Sequence, residues 1–91
     1  MAREISVPGA AGRPVVRVDG NLASVRCRPV GSSDSLVAEL DDGSGSIRLV
    51  WMGQRQITGI EPGRPLTVEG VLGLHRGRKT MFNPRYQLGR R

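Results

Sequence analysis

Aromatic residues are almost missing: the 91 residues hold one tryptophan, one tyrosine and one phenylalanine. A core must therefore be built from Val, Leu and Ile. Cys27 is the sole cysteine, which excludes an intramolecular disulfide and a cysteine-based zinc site. In an apolar-alternating segment it reads as a small core residue. His75 is the sole histidine, so a histidine-built metal site lacks a second ligand, and nothing supports a Ser-His-Asp triad. No apolar run approaches the roughly 20 residues that a membrane-spanning helix needs. The opening "MAREISVPGAAGR" lacks the continuous apolar stretch of a signal peptide. A cytoplasmic protein with no membrane partner is expected. The length suits one domain and leaves no room for a separate lid or cofactor domain.

Acids are scarce as well. Eight of them face fourteen cations, giving a formal charge of +6 and a sequence pI near 11.3. They fall mostly at turns or outward strand positions, where a shifted carboxylate pair for acid–base catalysis is not expected. Asp41 and Asp42 lack the alternating spacing of a calcium loop. "RGRKT" fails as a phosphate-binding loop, because the glycine spacing is wrong and a strand follows where a helix is required. On these points neither catalysis nor a small-molecule cofactor is expected. The charge balance favours an anionic partner, nucleic acid before membrane. All but one of the cations are arginine, a bias that a GC-rich genome also produces.

What is present is strand and turn. Thirteen glycines and six prolines are too many for a helical bundle. Residues 1–13 read as a flexible arm, 14–89 as the folded domain and 90–91 as a frayed end. Val16 and Val18 alternate with polar neighbours, as do Val25 and Cys27, but the apolar parity flips between the two pairs. A flip needs an inserted residue or a bend, so one long strand over 15–28, coiled near Gly20, is expected. After a polar loop, "PVGSSDS", strands follow at 35–40 and 47–52 around the "DDGSGS" reversal. The segment 53–64 allows at most one helical turn, with Ile57 and Ile60 as a plug. A fourth strand over 65–74 turns back at Arg76-Gly77 into a last strand over 79–88, where Pro84 forces an edge or a bulge. Five strands with little helix fit an all-β, five-stranded OB-fold (Greek-key) barrel; an SH3-like barrel shares much of the pattern.

Four phrases carry a resemblance over residues 15–88. They are "VDGNLASVRCRPV", "LVAELDDGSGSIRLVWMG", "IEPGRPLTVEGVL" and "RGRKTMFNPRYQL". In order they supply Asp42-Gly43-Ser44-Gly45, Trp51, Pro62-Gly63, Val68-Glu69-Gly70, and Met81 with Asn83-Pro84 and Tyr86. This series resembles the OB-fold wedge domain of the RecG family of branch-migration helicases. The turn motif is common among OB domains, and the M-x-N-P-x-Y strand is the more specific piece. The motor domains have no counterpart in these residues, so the resemblance implies nucleic-acid binding without unwinding.

Candidate contacts follow from charge and parity. Arg76, Arg78 and Lys79 form a basic hairpin tip able to neutralise phosphates, beside His75. Arg48 faces away from Ile47 and Leu49, and Arg26 and Arg28 alternate with Val25 and Cys27. Arg55 borders the same face. Trp51 either stacks a base or closes the barrel end, since parity puts it with Ile47 and Leu49. Phe82 and Tyr86 share a parity opposite to Met81, and at least one of these aromatics is expected in the core. Tyr86 is expected to be partly exposed, and Arg85 could point either way. The expected partner is single-stranded or branched DNA, favoured over RNA. A protein partner, with the domain as an accessory subunit, is the alternative from another class.

Overall fold

The computed structural model describes residues 2–5 and 14–90. Short runs of Val, Leu and Ile separated by glycine turns fold into eight strands, with no helix among the described residues. They are β1 (Ala2–Ile5), β2 (Val15–Val30), β3 (Ser33–Asp41), β4 (Ser46–Met52), β5 (Pro65–Val71), β6 (Gly73–His75), β7 (Arg78–Phe82) and β8 (Arg85–Leu88). The order across the sheet is β6-β7-β4-β3-β2-β5-β8, with β1 paired beside β2. Every pairing is antiparallel except that of β4 with β7, which is parallel.

This order makes the sheet curl. Strands β5 and β6 are separated by Leu72 alone, yet they stand at opposite ends of the order. The same holds for β7 and β8, separated by Asn83 and Pro84. A flat sheet cannot bring both pairs of neighbours together, so the sheet bends into a half-barrel. The fourth and fifth expected strands are thus each broken in two. Asn83 has a φ of 50°, a left-handed conformation that asparagine tolerates, and Pro84 has no N–H to give a ladder.

Strand β2 drives the curl. Its first part pairs with β5 from Val15 to Asn21, and its second part pairs with β3 from Asn21 to Val30. The parity flip is resolved by a register shift between Leu22 and Ser24, which makes Ala23 the inserted residue. Gly20 serves a separate need. A Cβ there would run into the carbonyl oxygen of Asp41 and approach Leu40 Cγ to 3.1 Å. The strand also continues to Val30, so the expected polar loop shrinks to the turn at Gly31-Ser32, where Gly31 has a φ of 64°.

The core lies on the concave face. Val18, Leu22, Leu40, Leu49, Val68 and Met81 are each at most 2% exposed. Segment 53–64 forms turns and no helix. Ile60 N–H donates to Ile57 O at 3.0 Å, and Ile60 is buried in the core with Ile57 packed against it. In the β3–β4 turn, Asp42 Oδ1 accepts from Ser44 N–H (2.8 Å), Ser44 Oγ–H (2.7 Å) and Gly45 N–H (3.0 Å). These bonds, the Ser44 hydroxyl first, hold its carboxyl below the usual 3.8.

Of the arm expected over 1–13, Ala2–Ile5 pair as β1 and the other residues lie outside those described. Arg91 lies outside them too, and Arg90 is exposed. Cys27 corrects an expectation: it is exposed. Its partner Leu36 is buried, but past Asn21 the other edge of β2 has no paired strand among the described residues. No helix among the described residues is long and apolar enough to cross a membrane.

If Gly20 is what lets β2 cross against β3, Gly20→Ala should destabilise the fold by about 1–3 kcal/mol, the cost of overpacking a close contact. Urea unfolding measures this, and an unchanged midpoint would contradict it.

Candidate nucleic-acid interface

Side chains directly opposite each other in paired strands share a face of the sheet. Register therefore lines up Arg26, Val37, Val50 and Phe82 across β2, β3, β4 and β7 on the convex face. The next row on that face holds Ser24, Glu39, Arg48 and Thr80. Both rows alternate with the core row that contains Leu49 and Met81.

An open cleft of about 190 Å³ lies over these rows. Its floor is apolar: Val37 is 3% exposed and Val50 4%. One wall is the end of the β2–β3 hairpin, with Arg28, Pro29, Val30 and Gly31. The other is the β6–β7 hairpin, which supplies His75 and Arg76, with Phe82 and Arg48 completing the lining. The His75 ring meets Phe82 edge-on, with centroids 5.3 Å apart and planes at 90°. Phe82 stays 42% exposed.

The hairpin turn is unusual in one respect. Both of its central residues have positive φ, 53° at Arg76 and 78° at Gly77, as a two-residue hairpin turn of the mirror-image type requires. Asn-Gly is the preferred pair for such a turn, and an arginine in the left-handed region is strained by about 1 kcal/mol. That strain places a guanidinium on the cleft.

Charge is spread unevenly. Glu39 accepts from Arg48 Nε at 3.2 Å and from Arg78 Nη2 at 2.9 Å. Arg17 is paired with Glu69 at 2.7 Å, and Arg55 with Asp34 at 3.6 Å. Among the described residues 14–90, Arg26, Arg28, Arg64, Arg76, Lys79, Arg85 and Arg90 take part in none of the ion pairs, which join Arg17, Arg48, Arg55 and Arg78 to acids. Three of these seven, Arg26, Arg28 and Arg76, lie on or beside the cleft.

The expected contacts thus divide. Arg28, Arg48, His75 and Arg76 line the cleft, Arg26 shares its row, and Arg78 joins it through Glu39. Lys79 is exposed beside Arg78 but does not line the cleft, and Arg55 extends from the start of segment 53–64, its side chain 80% exposed. Arg85 and Tyr86 belong elsewhere, to a shallow concavity of about 140 Å³ with Thr67, Glu69 and Gln87 on β5 and β8.

Trp51 is part of the buried core and not an open stacking platform. It is 5% exposed, its Nε1–H donates to Pro84 O at 3.1 Å, and Tyr86 meets it edge-on at 5.8 Å. No indole face is open to a base. The expectation that Phe82 or Tyr86 enters the core is also corrected, since each is 42% exposed. The break at Asn83-Pro84 frees Tyr86 from the parity of Phe82. Three contributors went unrecognised in the sequence: Phe82, Val37 and Val50. The signal was available, because β3 and β4 are apolar on both parities, and Phe82 must oppose Met81 if Met81 is core.

Comparison with known proteins finds no family model and no curated protein that matches this chain.

A buried, hydrogen-bonded indole predicts that Trp51→Ala loses about 3–5 kcal/mol of stability. Guanidinium unfolding measures it. A loss under about 1 kcal/mol would mean that the indole is not part of the core.

Proposed function

We propose that the chain is a non-enzymatic OB-fold domain that binds single-stranded or branched nucleic acid, DNA before RNA, in the cleft between the two hairpins. Three features support the OB reading. The order β2-β3-β4-β7 with a parallel β4–β7 pair, the division of β2 between β3 and β5, and the near-continuity of β5–β6 and of β7–β8 fit a five-stranded Greek-key barrel with two interrupted strands. Under this reading the five barrel strands are β2, β3, β4, β5–β6 and β7–β8. A wedge-like role in DNA repair or recombination rests on the sequence resemblance to RecG wedge domains, and needs neither cofactor nor metal.

The observation that carries the binding proposal is the composition of the cleft. An apolar floor with one exposed aromatic ring sits inside a rim of Arg28, Arg48 and Arg76. A nucleobase has two apolar faces and a polyanionic backbone on either side, and this arrangement matches both parts. The small volume suits an unstacked base better than a duplex. Phosphate contacts would supply most of the affinity, with little sequence information.

Polarisation binding to labelled single-stranded DNA, forked DNA and single-stranded RNA tests this. Affinity should fall with salt at a log–log slope of about −0.7 per phosphate neutralised, near −2 for three arginines. Phe82→Ala should cost about 1–3 kcal/mol of binding with the fold intact. Arg76→Asn should relieve turn strain, stabilising the fold by about 1 kcal/mol, and yet weaken binding. Salt-insensitive or absent binding to all three probes would overturn the proposal, and tighter binding to RNA would reassign its partner.

A further inference from the structure

Glu39 holds two arginines at once. Oε1 accepts from Arg48 Nε and Oε2 from Arg78 Nη2, so each carboxylate oxygen serves one guanidinium. Arg48 sits directly across the β3–β4 pair, while Arg78 opens β7 and follows the turn that carries Arg76. The side chain of Glu39 is 15% exposed and that of Arg48 18%, against 46% for Arg78. The carboxylate therefore links the sheet face to the hairpin, three strands joined at one point.

Its position is costly for the function proposed. A carboxylate beside a surface meant for a polyanion repels phosphate and cancels part of the local positive charge. Simple charge complementarity favours a neutral residue at this place. We infer that Glu39 is a positioning residue: it draws the β6–β7 hairpin onto the β3–β4 face and fixes the guanidinium planes of Arg48 and Arg78. Each arginine gives Glu39 one donor, and the other four N–H groups of each fork stay uncommitted among the described hydrogen bonds. An arginine held in one orientation loses less side-chain freedom when it meets a phosphate oxygen. His75 and Arg76 are carried by the same hairpin, so the width of the cleft depends on this clamp too.

The inference rests on the nucleic-acid reading of the cleft, and its test separates the two. Glu39→Gln removes one negative charge and breaks the clamp, since the amide keeps a single neutral acceptor for two guanidinium groups. If the face works by charge alone, the variant binds a single-stranded oligonucleotide more tightly and with a steeper salt slope. If Glu39 positions the arginines, the variant binds roughly tenfold more weakly, the scale of one charge-assisted hydrogen bond. Its slope then becomes shallower by about 0.7 for each phosphate that is no longer neutralised. Glu39→Asp, which restores the charge, should recover part of the affinity. Arg78→Lys gives an independent reading that needs no change at Glu39: net charge is kept, the planar fork is removed, and affinity should fall several-fold. Tighter or equal binding by Glu39→Gln, or equal binding by Arg78→Lys, overturns the positioning role and leaves the binding proposal standing. Absence of salt-dependent binding by the unaltered protein removes both together.

Discussion

Everything in this domain depends on β2 being able to serve two neighbours. Its 16 residues pair first with β5 and then with β3, and the change of partner falls at Asn21. Two local devices make it possible. Gly20 lets the backbone cross against the carbonyl of Asp41 without a side chain between them, and the inserted Ala23 returns Val25 to the core side. Without this change of partner the sheet would lack its curl, and the two ends of the strand order could not approach. Because it curls, the β2–β3 hairpin and the β6–β7 hairpin stand on either side of one convex patch.

That patch carries a conflict. Val37 and Val50 lie on the side of β3 and β4 turned away from the core, and Phe82 completes their row while remaining partly exposed. Arg76 occupies a turn position that favours asparagine, and Glu39 sits among cations. Each choice weakens folding or lowers charge if the domain is judged only as a folded object. Together they describe a cleft with an arginine rim and an apolar base. Segment 53–64 and Trp51 bear the opposite character. There Ile60 and the indole fill the end of the core, and the Trp51 N–H is fully occupied by Pro84.

Much of the architecture was legible from residue order. Alternation in "SLVAEL" and "IRLVWM", the glycine turn between them and the parity flip in the long first strand all have direct counterparts. What escaped was anything set by tertiary context. Cys27 has core parity but lies where β2 is without its second neighbour, so parity alone misplaces it. Trp51 shares a face with Ile47 and Leu49, yet only the arrival of Pro84 and Tyr86 decides that its indole is enclosed. Arg85 and Tyr86 are near Arg76 and Arg78 in sequence but cross to the other end of the strand order at Asn83-Pro84. A basic-aromatic stretch that reads as one surface is therefore two.

The central claim is that one face, and not net charge spread over the whole surface, binds nucleic acid. Backbone amide chemical-shift mapping during titration with a short single-stranded oligonucleotide tests it most directly. The largest changes should cluster at Arg28–Gly31, Val37, Arg48–Val50 and His75–Phe82, with little change at Arg85–Leu88 or Gly53–Arg64. Shifts spread evenly over all exposed arginines, or centred on β5 and β8, would contradict it.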